Sequence, residues 1–142
     1  MFGKISLAKA EKILRSVFKK LRIEPEIEIK DNRVVATVGN MPIKRVMCNF
    51  VTVILYRDGS CLISTVVGKT DITNEKLVAL NKYNEESMGW RAYIDEEGYL
   101  NFDYDNFYVA KGKIKKFLRQ NIRGAVDEDT EQYFMQLCTG CN

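Results

Sequence analysis

The amino-acid sequence predicts one α+β domain, an antiparallel sheet of about five strands flanked by helices in the order α-βββ-α-ββ-α. Apolar residues recur at helical spacing near both ends of the chain and once in the middle. Alternating, β-branched segments separated by turn residues fill the regions between them. The 142 residues contain no repeat, low-complexity tract or interdomain linker, and this length is typical of a single domain with its own core.

The first helix is predicted to begin after Ser6, the expected N-cap, and to end before Pro25. Its apolar stripe consists of Leu7, Ala10, Ile13, Leu14, Val17, Phe18 and Leu21. The opposite side carries Lys9, Lys12, Arg15, Lys19 and Lys20. A basic amphipathic helix can lie on nucleic acid or on an anionic membrane, but a solvated basic face above a core-facing stripe is more common.

β-structure is predicted next. An alternating segment from Glu26 turns at Asp31-Asn32 and continues to Gly39, and a connector containing Pro42 follows. A long apolar run, Val46–Tyr56, then returns over residues 61–67 through a hairpin turn at Asp58-Gly59.

A two-residue loop at Asp58-Gly59 would pair Arg57 with Ser60 and so fix the register of this hairpin. One face would then carry Val51, Val53, Leu55, Leu62, Ser64 and Val66. The other would carry Phe50, Thr52, Ile54, Ile63, Thr65 and Val67. Both faces are apolar, so both need a cover. A subunit contact would supply it, and a helix packed on each face is the competing explanation.

A second helix is predicted from Asp71 or Thr73 to about Glu86, with Gly89 ending it. A second hairpin then turns at residues 95–98. Helical spacing returns from Gly112. We expect Gly124 to interrupt this helix and Asp127 to cap a last one.

Histidine is absent from the sequence, which argues against an enzyme because it removes the commonest general base and the commonest transition-metal ligand. The net charge of +3 is too small to imply nucleic-acid binding, although residues 1–45 are basic and residues 46–110 are acidic. No apolar run reaches the length of a signal peptide or a membrane span, so a cytoplasmic protein is expected.

Four cysteines occur, at positions 48, 61, 138 and 141, and reduced thiols are expected in a domain of this size. Cys138 and Cys141 have C-x-x-C spacing, but they follow a helix, whose C-terminal dipole opposes thiolate formation. Neither a second pair nor a histidine accompanies them to complete four zinc ligands. Neither a metal nor another cofactor is therefore predicted.

Asn81 and Asn84 are three residues apart beside the apolar stripe of the second helix, where backbone groups of a strand edge or turn would be their partners. The stretch Leu80-Asn81-Lys82-Tyr83-Asn84, followed by Arg91-Ala92-Tyr93-Ile94-Asp95-Glu96-Glu97-Gly98-Tyr99-Leu100, resembles the YbjN-like family of bacterial domains. The resemblance implies a type III secretion chaperone-like fold, often dimeric, in sensory or regulatory proteins without established catalytic residues. Only Asn81, Asn84 and Gly98 carry over, as markers of the fold.

The sequence therefore favours a homodimeric, chaperone-like or regulatory domain that binds a protein or peptide through apolar surface. The contact face is predicted at Val51, Val53, Leu55, Leu62 and Val66, or on the opposite face of the same hairpin. The alternative is a binder of nucleic acid or anionic membranes that uses the lysines of the first helix.

Overall fold

A computed structural model describes residues 4–43, 45–87, 89–106, 111–122 and 128–142. Its helices are α1 (Leu7–Lys20), α2 (Asn74–Glu86), α3 (Ile114–Ile122, preceded by a 3-10 turn) and α4 (Glu128–Cys138). Its strands are β1 (Glu26–Lys30), β2 (Arg33–Ile43), β3 (Val46–Tyr56), β4 (Cys61–Lys69), β5 (Trp90–Ile94) and β6 (Tyr99–Asn106). Gly124 and Asp127 lie outside the described residues. Within the described ranges, no helix is both long enough and apolar enough to cross a membrane.

The strands form one open antiparallel sheet in the order β1-β2-β3-β4-β6-β5. The α+β class is thus confirmed. The sheet has six strands rather than about five, because the turn at Asp31-Asn32 separates two full strands that pair with each other. The second hairpin enters the sheet through β6, which places the short β5 at one edge and β1 at the other.

The predicted connector around Pro42 is wrong, because β2 continues through Gly39 to Ile43 and its residues Met41, Pro42 and Ile43 pair with β3. Proline is tolerated here for a structural reason. β1 begins at Glu26, opposite Thr37, so the part of β2 that follows Thr37 has a neighbouring strand on one side only.

Helix α1 packs its apolar stripe against β1, β2 and β3. The Ser6 side chain accepts a hydrogen bond of 3.1 Å from the Lys9 backbone N–H, which caps the helix as predicted. The buried residues of the stripe are Ala10, Ile13, Leu14, Val17 and Phe18. The helix ends at Lys20, and Arg22 adopts a positive φ of 59° in the turn toward β1.

The β3–β4 and β5–β6 hairpins turn through three-residue loops, and this corrects the register predicted for the β3–β4 hairpin. In the first, the Tyr56 N–H donates to the Ser60 carbonyl and the Gly59 N–H donates to the Tyr56 carbonyl. Gly59 has a φ of 91°, as expected for a type I turn followed by a left-handed residue. Leu55 therefore pairs with Cys61, one residue away from the pairing that a two-residue loop would give.

The remaining core is aromatic and lies between the second hairpin and the other helices. Phe102 of β6 stacks on Phe134 of α4 with ring centroids 3.7 Å apart. Tyr83 of α2 meets both rings edge-on, and Trp90 of β5 also contacts Phe134. These contacts hold α2 and α4 on the same side of the sheet as α1.

Candidate functional site: the open face of the sheet

The two faces of the sheet differ sharply in burial. On the covered face, side chains such as Val34, Ala36, Val53 and Ile63 are fully buried beneath the described helices. On the other face, which we call the open face, the central residues are half-buried and Phe50 is 57% exposed. None of the four described helices packs on the open face. Its central part consists of Glu26, Glu28, Val35, Thr37, Phe50, Thr52, Ile54, Leu62, Ser64, Val66, Arg91, Tyr93, Asn101, Asp103 and Asp105. The same face continues at its two ends through Lys30, Arg33, Tyr56, Lys69 and Tyr99.

The five residues predicted as a contact face do not lie on one face. Val51, Val53 and Leu55 are 0% exposed on the covered face, where they are part of the core. Leu62 and Val66 lie on the open face and are half-buried. The register error explains the mixture, since a shift of one residue moves every side chain of one strand to the other face.

The register arranges the open face in three rows that cross the strands. The first row runs Glu28, Val35, Ile54, Leu62, Asp105. The second runs Glu26, Thr37, Thr52, Ser64, Asp103, Arg91. The third runs Gly39, Phe50, Val66, Asn101, Tyr93. Two rows with apolar centres are therefore separated by a row of hydroxyl groups.

Asp103 is held in a fixed position on this face by two hydroxyl donors. The Ser64 hydroxyl donates to one carboxylate oxygen at 2.8 Å, and the Tyr93 hydroxyl donates to the other at 3.0 Å. Burial, together with the neighbouring charge of Asp103, raises the pKa of Tyr93 to about 12. The phenol therefore stays protonated at neutral pH and keeps donating to the carboxylate.

The group around Asp103 presents an ordered hydrogen-bond acceptor on the open face. Ser64 donates its proton to a carboxylate, and no histidine exists in the chain to activate a hydroxyl nucleophile. Backbone N–H groups inside a strand are used by the ladder of interstrand hydrogen bonds, so they are not available as an oxyanion hole. An ordered carboxylate between hydroxyls and apolar side chains can accept hydrogen bonds and attract a cation.

The residues of the asparagine motif lie elsewhere, on α2 and the second hairpin. The Asn84 amide donates to the Ala92 carbonyl at 2.9 Å, and its oxygen accepts from the Ala92 N–H at 2.7 Å. Asn84 thereby joins α2 to the outer edge of β5, whereas Asn81 is exposed to solvent. Gly98 closes the β5–β6 loop with a φ of 88°, a conformation that strains any other residue.

That loop is also held by the Asp95 carboxylate, which accepts hydrogen bonds from the backbone of Tyr99 and Glu97 and from the Asn101 amide. The hydrogen bond from the Tyr99 N–H is the largest cause of a lowered pKa for Asp95. Asn84, Gly98 and Asp95 thus hold the second hairpin in place, whereas the predicted marker Asn81 makes no hydrogen bond with it in the described part of the chain.

The four cysteines lie in two environments: Cys48 and Cys61 are buried, and Cys138 and Cys141 are half-buried near the end of α4. Burial raises the pKa of Cys48 to about 11 and that of Cys61 to about 12, so both behave as core residues. Cys138 and Cys141 span a turn in which the Cys141 N–H donates to the Cys138 carbonyl at 3.1 Å. Burial also raises the pKa of Cys138 to about 12. Within the part of the chain that the structure describes, no group of three or more acidic, cysteine or histidine side chains is placed to hold a metal ion.

The C-terminal residues are held on the sheet. Asn142 and Lys69 exchange two backbone hydrogen bonds of 2.9 Å each, which adds the chain end to β4. Gly68 makes this approach possible, since a Cβ atom there would lie 2.3 Å from the Asn142 carbonyl oxygen.

The sequence analysis did not identify the three rows of the open face as one surface. No local signal decides the register, because Asp58-Gly59 fits a two-residue loop and Gly59 also fits the third position of a three-residue loop. The three-residue loop gives the observed pairing of Ile54 with Leu62. Searches against models of protein families, curated proteins and solved structures found no match to this chain, so the resemblance to the YbjN-like family stays a sequence-based prediction.

Proposed function

We propose that the chain is a non-enzymatic protein-binding domain, chaperone-like or regulatory, that acts through the open face of its sheet. The observation that carries this proposal is a broad sheet surface with apolar side chains that the described helices leave uncovered. Exposed apolar patches of this kind commonly mark binding sites for other proteins. Binding would remove apolar area from water, worth about 25 cal/mol per Å².

A homodimer stays a prediction. The sequence-based reason for it was that both faces of the β3–β4 hairpin need a cover. Helices supply the cover on one face, so the dimer prediction now depends on the open face alone. Light scattering over about a hundredfold range of concentration tests it by mass action. A stable mass of twice 16.4 kDa supports a dimer, and a constant mass of 16.4 kDa rejects it.

The proposed site is tested by replacing apolar side chains with serine on the open face and, as a control, on α2. I54S/L62S takes two apolar side chains from the centre of the open face. V78S is the control: it removes an apolar side chain from α2, away from the open face, where Val78 is 67% exposed and Ile54 and Leu62 are half-buried. Proteins captured by the wild-type chain are identified and purified, and their affinity is measured by calorimetry. We expect I54S/L62S to weaken binding about tenfold or more and V78S to leave it unchanged. Equal affinity for all three chains would reject the open face as the site.

A second candidate function is supported by one observation on α1. A cleft of about 470 Å³ lies at the C-terminal end of this helix, lined by Arg15, Lys19, Arg22, Ile23, Glu24 and Pro25. Three cationic side chains at one cleft suit an anionic group such as a phosphate. However, the Arg15 guanidinium already donates to Glu11 at 2.8 Å.

This alternative predicts that RNA or anionic vesicles bind with a steep salt dependence and that K19E/R22E abolishes the binding. If neither probe binds even at low salt, the alternative is rejected.

A further inference from the structure

Acidic side chains border the open face on two opposite sides. Glu26 and Glu28 lie on β1, and Asp103 and Asp105 lie on β6, with the apolar and hydroxyl residues between them. Arg91 lies beyond Asp103 on β5 and is the basic member of these three rows. The open face is therefore an apolar floor between two acidic sides.

Basic side chains adjoin both ends of this floor. At one end Lys69 pairs with Tyr99, one row beyond Val66 and Asn101, and its ammonium lies 6.0 Å from the centre of the Tyr99 ring. At the other end Lys30 pairs across the strands with Arg33, one step beyond the row of Ile54. The Lys30 ammonium lies 4.0 Å from the Glu28 carboxylate, and such an exposed ion pair contributes little. The Arg33 guanidinium lies 6.0 Å from the centre of the Tyr56 ring. Neither Lys30 nor Arg33 therefore forms a strong ion pair with the acidic side chains that flank the apolar rows.

The width of the floor fits a helix. Strands lie about 4.8 Å apart, so the four intervals from β1 to β6 span about 19 Å. An α-helix with its side chains is about 10–12 Å across, which leaves room on each side for long side chains to reach the acidic groups. Lysine and arginine are suited to this geometry, since their stems lie along apolar surface while their charges reach beyond it.

A second copy of the chain is a poor occupant for the same reason. When two such sheets pack face to face with aligned strands and twofold symmetry, either β1 lies over the partner's β6 and β5, or each strand lies over its own counterpart. Centred on the apolar rows, both arrangements bring acidic sides together, and like-charge contacts across an interface are unfavourable. Nucleic acid is disfavoured too, because the acidic sides repel phosphate.

From this geometry we infer that the partner segment is an amphipathic helix with an apolar stripe flanked by lysine or arginine. This inference rests on the function proposed above and adds the chemistry of the partner. The stripe covers the rows of Ile54 and Phe50, and the basic flanks meet Glu28 and Glu26 on one side and Asp105 and Asp103 on the other. Asp103 is the best ordered of these acids, since two hydroxyls hold it.

The test uses three labelled helical peptides of about 18 residues with one shared leucine stripe. Their flanking positions carry lysine, glutamine or glutamate. Fluorescence anisotropy measures their affinity for the wild-type chain at about 50 and 300 mM salt. We expect the lysine peptide to bind about tenfold or more tightly than the glutamine peptide at low salt, and the glutamate peptide to bind weakest.

Two variants locate the contact. I54S/L62S should weaken the lysine peptide and the glutamine peptide alike, because it removes the floor and changes no charge. E28K/D105K should reverse the order of the lysine and glutamate peptides. K12E, on the solvent side of α1, is the matched charge-change control and should leave the order as it is in the wild type.

The outcomes separate the two proposals. If the three peptides bind equally and I54S/L62S weakens them all, the open face binds protein but the inference about basic flanks is wrong. If no peptide binds, or if I54S/L62S binds as well as the wild type, both proposals are wrong. A preference for lysine flanks that E28K/D105K leaves unchanged also overturns the inference, because the attraction then arises elsewhere.

Discussion

Leu55 and Leu62 offer a direct comparison of the two faces of the sheet. They belong to the same hairpin, but Leu55 is 0% exposed beneath the helices and Leu62 is half-buried on the open face. Glutamine is close to leucine in size and carries no charge. L55Q and L62Q therefore impose the same chemical change on the two environments.

The expected costs differ several-fold. At Leu55 the substitution forfeits the burial of a leucine side chain, worth about 1.5–3 kcal/mol. It also places an amide where the surroundings are apolar, at a further cost of about 1–3 kcal/mol. The sum, about 2.5–6 kcal/mol, is a large part of the roughly 5–15 kcal/mol that stabilises an ordinary domain. At Leu62 the amide reaches solvent, and we expect a loss of about 1 kcal/mol or less.

Urea unfolding followed by fluorescence measures both costs, because Trp90 is the single tryptophan and is 5% exposed in the aromatic core. With a slope of about 2 kcal/mol per M, the midpoint should fall by about 1.2–3 M for L55Q and by about 0.5 M or less for L62Q. Equal small losses would show that the assignment of the faces is wrong. An equally large loss for L62Q, growing with dilution, would show that a second copy covers the open face.

Three further predictions concern the second hairpin. N84A should lower the free energy of unfolding by about 1–3 kcal/mol, because it leaves the hydrogen-bonding groups of the β5 backbone without their partner; urea unfolding measures it, and an unchanged midpoint would contradict the contact. G98A should cost about 1–2 kcal/mol, since alanine is strained at a φ of 88°. The same substitution at Gly112, where a Cβ atom meets nothing within 4 Å, is its control. D103N should lower the pKa of Tyr93 from about 12, since the acidic neighbour favours the protonated phenol; ultraviolet titration of the tyrosinate band measures this, and an unchanged value would mean that burial alone sets the pKa.

Periodicity in the sequence was sufficient to predict the helices and most strands. Ser6, Thr73 and the spacing of Ile13, Leu14 and Val17 are local signals, and local hydrogen bonds and one buried stripe decide the structure there. The class of the fold follows from the order of such elements. The connector predicted at Pro42 was wrong because a proline is tolerated in β2 only beyond the part that pairs with β1. How far β1 extends along β2 is a property of the sheet and not of the residues next to Pro42 in sequence.

The candidate site was harder to predict because it depends on register. Gly59 is compatible with a two-residue or a three-residue loop, and the choice between them moves Leu62 from the face of Leu55 to that of Ile54. The contact between Tyr93 and Asp103 depends in addition on β6 pairing with both β4 and β5. Pairings between strands distant in sequence cannot be read from alternation within any one strand.

An open sheet face raises the question of how such a domain avoids pairing with copies of itself. The edge strand β1 is five residues long and alternates charge with isoleucine, through Glu26, Glu28 and Lys30, which disfavours the addition of another strand. The row of Thr37, Thr52 and Ser64 places hydroxyl groups at the centre of the face, and the acidic sides oppose a second sheet. A partner helix with basic flanks would be attracted to the acidic sides instead of being repelled by them. The features that oppose face-to-face packing of two copies are therefore the same features that would suit a helix with basic flanks.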